Sequence, residues 1–283
     1  MKEVLRIKDL SIKFDKFELK DVNFSIEKGT IMGFIGENGA GKTTILKLIL
    51  NSFARYSGKI TVLGKDNIED EVFVKNNIGY VPAESFLLSN KTMEEHEKMF
   101  RKFYDKWNGD IFKHYTKKWN IQLGQKTGNL STGTKTKGMI ALALAHEPTL
   151  LILDEPTAGL DPVARMDFLD EIREFVSDGE KSVLISSHIT SDLDKAADYI
   201  TLIHKGEILE SDSIDRIQEK YRIIKGNLDV FEEIKEDIIG SRISGNSFEG
   251  LILKQNLKGK EKDLSLAIPN IENLLSFYIW GNK

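Results

Sequence analysis

Residues Gly36 to Thr44 read GENGAGKTT. The pattern Gly36-x-x-x-x-Gly41-Lys42-Thr43 suits a phosphate chain. Its glycines let backbone amides turn inward, Lys42 brings a compact positive charge to terminal phosphates, and Thr43 offers a hydroxyl to Mg²⁺. A helix beginning at Lys42 adds its positive dipole end at the same place. A second chemical stretch is LLILDEP, 150–156. Its apolar run ends in two carboxylates, of which Asp154 is suited to hold Mg²⁺ through water and Glu155 to act on an attacking water. A third stretch, NLSTGTKTKG at 129–138, is hydroxyl-rich and runs into an apolar helical segment. Ser131 and the amide of Gly133 make it a second seat for an anion.

These residues need strands that end together and helices that begin there. TIMGFIG, 30–36, is a short apolar strand that empties into the first glycine loop, and Ile45, Leu46 and Ile49 share one face of the helix that follows. TLLILDEP and KSVLISSH read as buried strands, the second ending at His188. Asp161 caps the helix 162–176, with Pro162 at its first position. Strand and helix alternate through 149–211, which predicts a mainly parallel sheet flanked by helices. Ahead of it, alternation over 4–14 and 17–29 predicts two half-buried strands. A helical insert interrupts the pattern over about 92–120. Thr92 and Glu95 form a capping box, Met93, Phe100, Phe103, Tyr104 and Trp107 follow at mostly helical spacing, Asn108-Gly109 is expected to stop that helix, and a second helix is expected through IFKHYTKKW, 111–119. Beyond Lys220 the pattern changes to a short helix, a hairpin around Gly245-Asn246, and a last helix striped by Ile271, Leu274, Leu275 and Tyr278.

Bulk properties narrow the classes. The chain has 283 residues, 40 basic and 44 acidic, for a net charge of −4. That balance does not suggest wholesale nucleic-acid binding, which usually needs a basic face. The absence of cysteine excludes disulfides and thiolate metal sites. The longest uninterrupted apolar run, MIALALA, is far short of the roughly 20 residues of a membrane span. The charged start, MKEVLRIKDL, is not expected to be a signal peptide.

GENGAGKTT, LSTGT, LLILDEPTAGLDP and ISSH, in that order, resemble the nucleotide-binding subunit of an ABC transporter over residues 1 to 220. The resemblance implies an α/β phosphate-loop fold with a mixed, largely parallel core sheet. An N-terminal antiparallel β subdomain and a helical subdomain over about 84–147 would complete the cassette, and 221–283 would form a small α+β accessory unit. It implies ATP and Mg²⁺ as cofactors. Phe14 would stack on adenine, with Phe17 as a rival, and Gly36, Glu37, Asn38, Gly39, Ala40, Gly41, Lys42, Thr43 and Thr44 would hold the phosphates. Thr43 and Asp154 would serve the metal, and Lys42, Glu155 and His188 the hydrolysis. Two cassettes would meet head to tail, so that Ser131, Gly133 and Thr134 contact ATP held by the other subunit and Asp161 communicates across the pair. That second anion seat is then half of a site completed by another chain.

The implied partners are a second ATPase subunit and a transmembrane permease, which would place the chain on the cytoplasmic face of the membrane. The sequence is similar to cassettes of bacterial exporters of drugs, lantibiotics or amphipathic peptides. A non-transport ATPase of the same fold, in metal-cluster assembly or on the ribosome, is the alternative. Two positions depart from the family. Ala83 stands where glutamine usually follows the proline and its methyl cannot reach a metal, while Glu84, one residue on, carries an oxygen that the shift points elsewhere unless the loop bends. Thr132, Thr134 and Thr136-Lys137 replace glycine, glutamine and glutamine-arginine, while Ser131 and Gly133 are retained.

Overall fold

A computed structural model describes residues 2–53, 57–257, 259 and 262–281. In chain order the elements are β1 (Glu3–Lys13), β2 (Glu18–Glu27), β3 (Ile31–Ile35), α1 (Lys42–Ile49), β4 (Ser57–Val62), β5 (Lys65–Asp66), α2 (Glu71–Asn77) and β6 (Ile78–Val81). There follow α3 (Met93–Phe100), α4 (Gly109–Lys118), α5 (Thr132–Leu144), β7 (Leu150–Asp154), α6 (Pro162–Val176), β8 (Ser182–Ser187) and α7 (Thr190–Ala196). The chain closes with β9 (Tyr199–His204), β10 (Glu207–Ser213), α8 (Ile214–Lys220), β11 (Tyr221–Asn227), α9 (Leu228–Ile234), β12 (Ile238–Ser244), β13 (Ser247–Leu253), β14 (Ser265–Ala267) and α10 (Ile271–Gly281).

The central sheet has six strands in the order β10-β9-β3-β8-β7-β6. β9, β3, β8, β7 and β6 run parallel, and β10 returns antiparallel to β9. All residues of β3, β7 and β8 are buried, as strands covered on both faces must be. Alternation divides β7 between two cores. Leu151 and Leu153 pack with Met139, Ile140, Phe168 and Leu169 of the helices, while Leu150 and Ile152 face the side of the antiparallel sheet, with Leu5, Ile7, Val22 and Ile26. That second sheet has the order β2-β1-β4-β5. The α/β architecture with an antiparallel N-terminal sheet matches the sequence expectation.

The helical insert differs from its expected outline. α3 ends at Phe100, eight residues before Asn108. Phe103 is 78% exposed, so its helical spacing marks no packed face. The chain turns back instead, and the Trp107 indole N–H donates to Glu97 Oε1 at 3.0 Å. Asn108 opens a helix rather than closing one, because its side chain accepts the amides of Asp110 and Ile111 as the N-cap of α4. The Thr92–Glu95 capping box is present at the start of α3.

Beyond Lys220 a third sheet, β12-β13-β11-β14, carries the expected hairpin, with Ser244 opposite Ser247 across Gly245-Asn246. α10 lies so close to β12 that a Cβ on Gly240 would sit 1.8 Å from the Phe277 carbonyl oxygen. Tyr221, Ile223, Leu251, Ile271, Leu274 and Phe277 belong to the same buried cluster as Leu193 and Ala196 of α7. The Ile271 amide donates to Asp194 Oδ1 at 3.1 Å, so α7 also anchors the start of α10.

His146, just past α5, is buried with Nε2 3.0 Å from the Ile78 carbonyl and its ring 4.0 Å from that of Tyr104. Burial lowers its pKa from 6.5 to about 4. The unfolded chain therefore binds this proton first as pH falls, and the folded state loses stability from pH 6.5 down to about 4. One such group contributes a slope of at most about 1.4 kcal/mol per pH unit. Urea unfolding at pH 7 and pH 5 is expected to show a smaller acid loss for His146→Gln than for the parent chain. An identical loss would remove His146 as its source.

Candidate active site

The phosphate loop leaves β3 at its C-terminal end and enters α1. Gly41 caps that helix with φ 116°, and a Cβ there would meet Phe17 at 2.8 Å and Leu19 at 2.7 Å. No other residue fits so readily. Lys42 is only 6% exposed. Its ammonium donates to the Gly36 carbonyl at 2.6 Å and the Glu37 carbonyl at 3.3 Å, and lies 3.9 Å from Glu155 Oε1. Burial pushes its pKa down, and the nearby charges of Glu155 and Asp154 push the other way.

β7 delivers both carboxylates beside this loop. Asp154 is 1% exposed and bonded on both oxygens, Oδ2 by the Thr43 hydroxyl at 2.8 Å and Oδ1 by the Ser186 hydroxyl at 2.5 Å. A hydroxyl beside a buried carboxylate is a donor set of hard oxygens, which suits a small divalent cation such as Mg²⁺. Burial, with a smaller push from the same carboxylate, raises the Tyr80 phenol to about 12. Glu155 adopts φ 52°, a left-handed conformation that costs an L-residue about 1–2 kcal/mol. Strain of this kind gathers at functional sites. Its Oε2 accepts from the His188 amide at 3.2 Å and lies 2.6 Å from His188 Nδ1. The strand order explains the meeting, since β8 lies between β3 and β7 and ends at the same edge.

A cavity of about 590 Å³ opens over these groups, lined by Phe14, Lys16, Phe17, Phe53 and Ala83 as well as the phosphate loop, Asp154 and Glu155. Glu37, Asn38, Gly39, Gly41, Lys42, Thr43 and Thr44 all line it. Gly36 and Ala40 lie behind the loop, where a Cβ on Gly36 would meet the Ile203 carbonyl and Ala40 is buried. Phe14 is 37% exposed and touches two rings, Phe17 at 6.4 Å and Phe53 at 6.0 Å between centroids. Ala83 faces the cavity with a methyl group, and Glu84 is not among its lining.

Ser131, Gly133, Thr134 and Asp161 are not part of this lining. Ser131 caps α5, accepting the Thr134 amide at 3.2 Å, with its hydroxyl 2.8 Å from that of Thr134. A Cβ on Gly133 would meet Leu160 at 2.9 Å, which seats the start of α5 against the 157–160 loop. Asp161 accepts the amides of Val163 and Ala164, both at 3.0 Å, and these bonds help to hold its carboxyl below the usual range. The sequence residues thus fall into two groups, one around Lys42 and one around Ser131.

The ABC transporter family profile matches residues 19–158. The ATP-binding protein YtrB of Bacillus subtilis is 30% identical over 275 residues, covering 96% of this chain and 94% of YtrB. The chain belongs to the ABC transporter ATP-binding family. The bacitracin transport ATP-binding protein BcrA of Bacillus licheniformis is 30% identical over 225 residues, 78% of this chain and 74% of that protein. A solved structure of an ATP-binding subunit of an ABC transporter superposes with a TM-score of 0.70 at 28% identity, over 76% of this chain and 92% of its own. The protein is accordingly an ATP-binding ATPase of the ABC type.

Two contributors escaped the sequence reading. Phe53 sits in the connection after α1, where it is one of two aromatics in NSFARYSG. Ser186 lies two residues before His188, opposite Asp154 in the β7–β8 register. Only the strand order reveals that neighbour.

The aromatic wall leads to a direct expectation. Phe14→Ala and Phe53→Ala each remove a ring worth about 0.5–1.5 kcal/mol of stacking. ATP affinity measured by calorimetry should fall roughly 2- to 12-fold for each, with inorganic triphosphate affinity unchanged. Equal losses for both ligands would mean the rings act on the phosphate loop rather than on the base.

Proposed function

We propose that this chain is the motor subunit of a membrane exporter and that it hydrolyses ATP as a head-to-tail pair sharing two nucleotides. The separation of the two anion-binding groups carries this reading. The cavity holds Lys42, Thr43, Asp154 and Glu155, whereas Ser131, Gly133, Thr134 and Asp161 stand apart from its lining. The start of α5 presents the Ser131 and Thr134 hydroxyls and a helix dipole outside the cavity. A second copy would bring that start against the first copy's triphosphate. The exporter direction rests on the likeness to a relative named for bacitracin transport.

Within each site, Lys42 would exchange the Gly36 carbonyl for terminal phosphate oxygens, and the loop amides and the α1 dipole would hold the remainder. Thr43 and Asp154 would hold Mg²⁺, which supplies charge neutralisation at the phosphate oxygens when bound. Glu155 takes the role of base or orienter for the attacking water. In the present arrangement its Oε2 is held by His188, so catalysis requires His188 to turn from Glu155 toward the γ-phosphate. Phosphoryl transfer to water relies on positioning and charge stabilisation. A group supplied from a second chain is worth about 10³–10⁵ in rate in other nucleotidases.

We assign 1–220 to the cassette, with its helical part over about 84–147, and 221–283 to an accessory unit that shares the α7 packing. No described helix is long and apolar enough to cross a membrane. Attachment to the cytoplasmic face through a permease rests on the family reading.

The test uses Glu155→Gln, which keeps the size and polarity of the side chain and removes its basicity. With ATP and Mg²⁺ the variant is expected to sediment as a stable dimer, while wild-type turnover rises faster than linearly with subunit concentration. A monomeric variant together with specific activity that stays flat down to monomeric dilution would refute the shared site.

A further inference from the structure

We infer that Ser186 is a positioning residue for hydrolysis, its one hydroxyl setting both the metal-side carboxylate of Asp154 and the water-side backbone of Glu155. The inference rests on the reading of these two carboxylates given above. Ser186 is fully buried, behind Asp154 and outside the lining of the cavity. Its Oγ donates to Asp154 Oδ1 at 2.5 Å and accepts the Glu155 amide at 3.1 Å. That amide also reaches the Ser186 carbonyl oxygen at 3.1 Å. One side chain on β8 therefore contacts two consecutive residues of the β7 terminus.

Each contact answers a physical need. Asp154 is 1% exposed, so water cannot replace a lost donor at Oδ1. Thr43 holds Oδ2, and with Ser186 on Oδ1 the carboxylate has one orientation and presents fixed lone pairs toward the phosphate loop. Without Ser186 the group is free to pivot about Oδ2. Glu155 sits at φ 52°, where an L-residue needs outside support. The bond from its amide to Ser186 is part of that support, and it sets the direction in which the Glu155 side chain leaves the strand. The requirement is sharper in this chain because Ala83, which lines the cavity, offers no oxygen to a metal ion. Among the described lining residues Asp154 is then the carboxylate that Thr43 shares, and its aim governs how a divalent cation sits.

A serine placed only to fill the strand would make different predictions from one that aims the carboxylates. Thr and Val have the same shape, and both suit a buried strand, so Ser186→Thr and Ser186→Val separate the hydroxyl from the volume. Ser186→Ala provides a smaller variant that adds no methyl groups. The full-length proteins are assayed by calorimetry with ATP in EDTA and by electron paramagnetic resonance of free Mn²⁺ titrated onto the ATP-loaded chain. The expectation for Ser186→Val and Ser186→Ala is Mn²⁺ affinity weakened ~10-fold or more. ATP affinity in EDTA should stay within about twofold, since the loop and Lys42 are untouched. At saturating Mn²⁺, kcat should remain well below wild type while KM for ATP holds, because the Glu155 direction is lost independently of metal occupancy. Ser186→Thr should restore both.

Wild-type Mn²⁺ affinity and kcat in Ser186→Ala would overturn the inference. So would a loss of ATP affinity in EDTA as large as the loss of Mn²⁺ affinity, which would indicate a general collapse of the loop. Should Ser186→Val fail to fold, the comparison of Ser186→Ala with Ser186→Thr decides the same question. A wild-type chain that binds neither ATP nor Mn²⁺–ATP would instead contradict the reading of the site itself, so the two failures are distinguishable.

Discussion

A lysine ammonium buried to 6% exposure is the constraint around which this molecule is organised. Such a charge is expensive to keep out of water unless oxygens surround it. Lys42 finds the carbonyls of Gly36 and Glu37 and, more distantly, the carboxylate of Glu155. Supplying them requires β3 to end in a loop that curls over its own helix start. It also requires β7 to end beside that loop, and β8 to fill the space between the strands. Burial already pushes the Lys42 pKa down, and the two carboxylates offset this. A triphosphate entering the cavity would bring more negative charge to the same ammonium. On the proposed reading the pocket is arranged for an anion, and the carbonyl contacts of Lys42 hold its place.

The same logic extends outward. Asp154 and Glu155 are each fixed by groups from neighbouring elements, Thr43 from α1, Ser186 from β8 and His188 from the turn after β8. His188 lies two residues before the start of α7, and α7 packs through Leu193 and Ala196 into the cluster that contains Ile271 and Leu274 of α10. The accessory unit thus shares a core with the helix that follows the histidine.

Much of this was legible in the sequence, for reasons that differ by element. The phosphate loop could be read because glycine, lysine and threonine occupy positions with strict backbone and charge requirements. β7 and β8 could be read because strands buried on both faces are continuous apolar runs. Asp161 and Thr92 were legible as helix caps, since capping is a local hydrogen bond. The end of α3 was misjudged because Phe103 and Trp107 keep helical spacing while the chain has already turned, and an exposed Phe103 imitates a buried one on paper. Asn108-Gly109 has the composition of a stop but functions as a start, a distinction made only by which amides reach Asn108. Ser186 and Phe53 were hidden for a deeper reason. Their importance lies in neighbours more than thirty residues away, or on another layer, and no local pattern encodes strand order.

The central claim is that the buried Lys42 ammonium is the phosphate-binding charge of the site, and calorimetric titration of ATP onto Lys42→Ala tests it most directly. Losing one charge-assisted contact of about 1.5–3 kcal/mol predicts an affinity lower by roughly 10- to 150-fold, with the unfolding transition of the variant still cooperative. An affinity within twofold of the parent chain in a folded variant would contradict the account, because it would place the nucleotide somewhere other than the cavity that Lys42 organises.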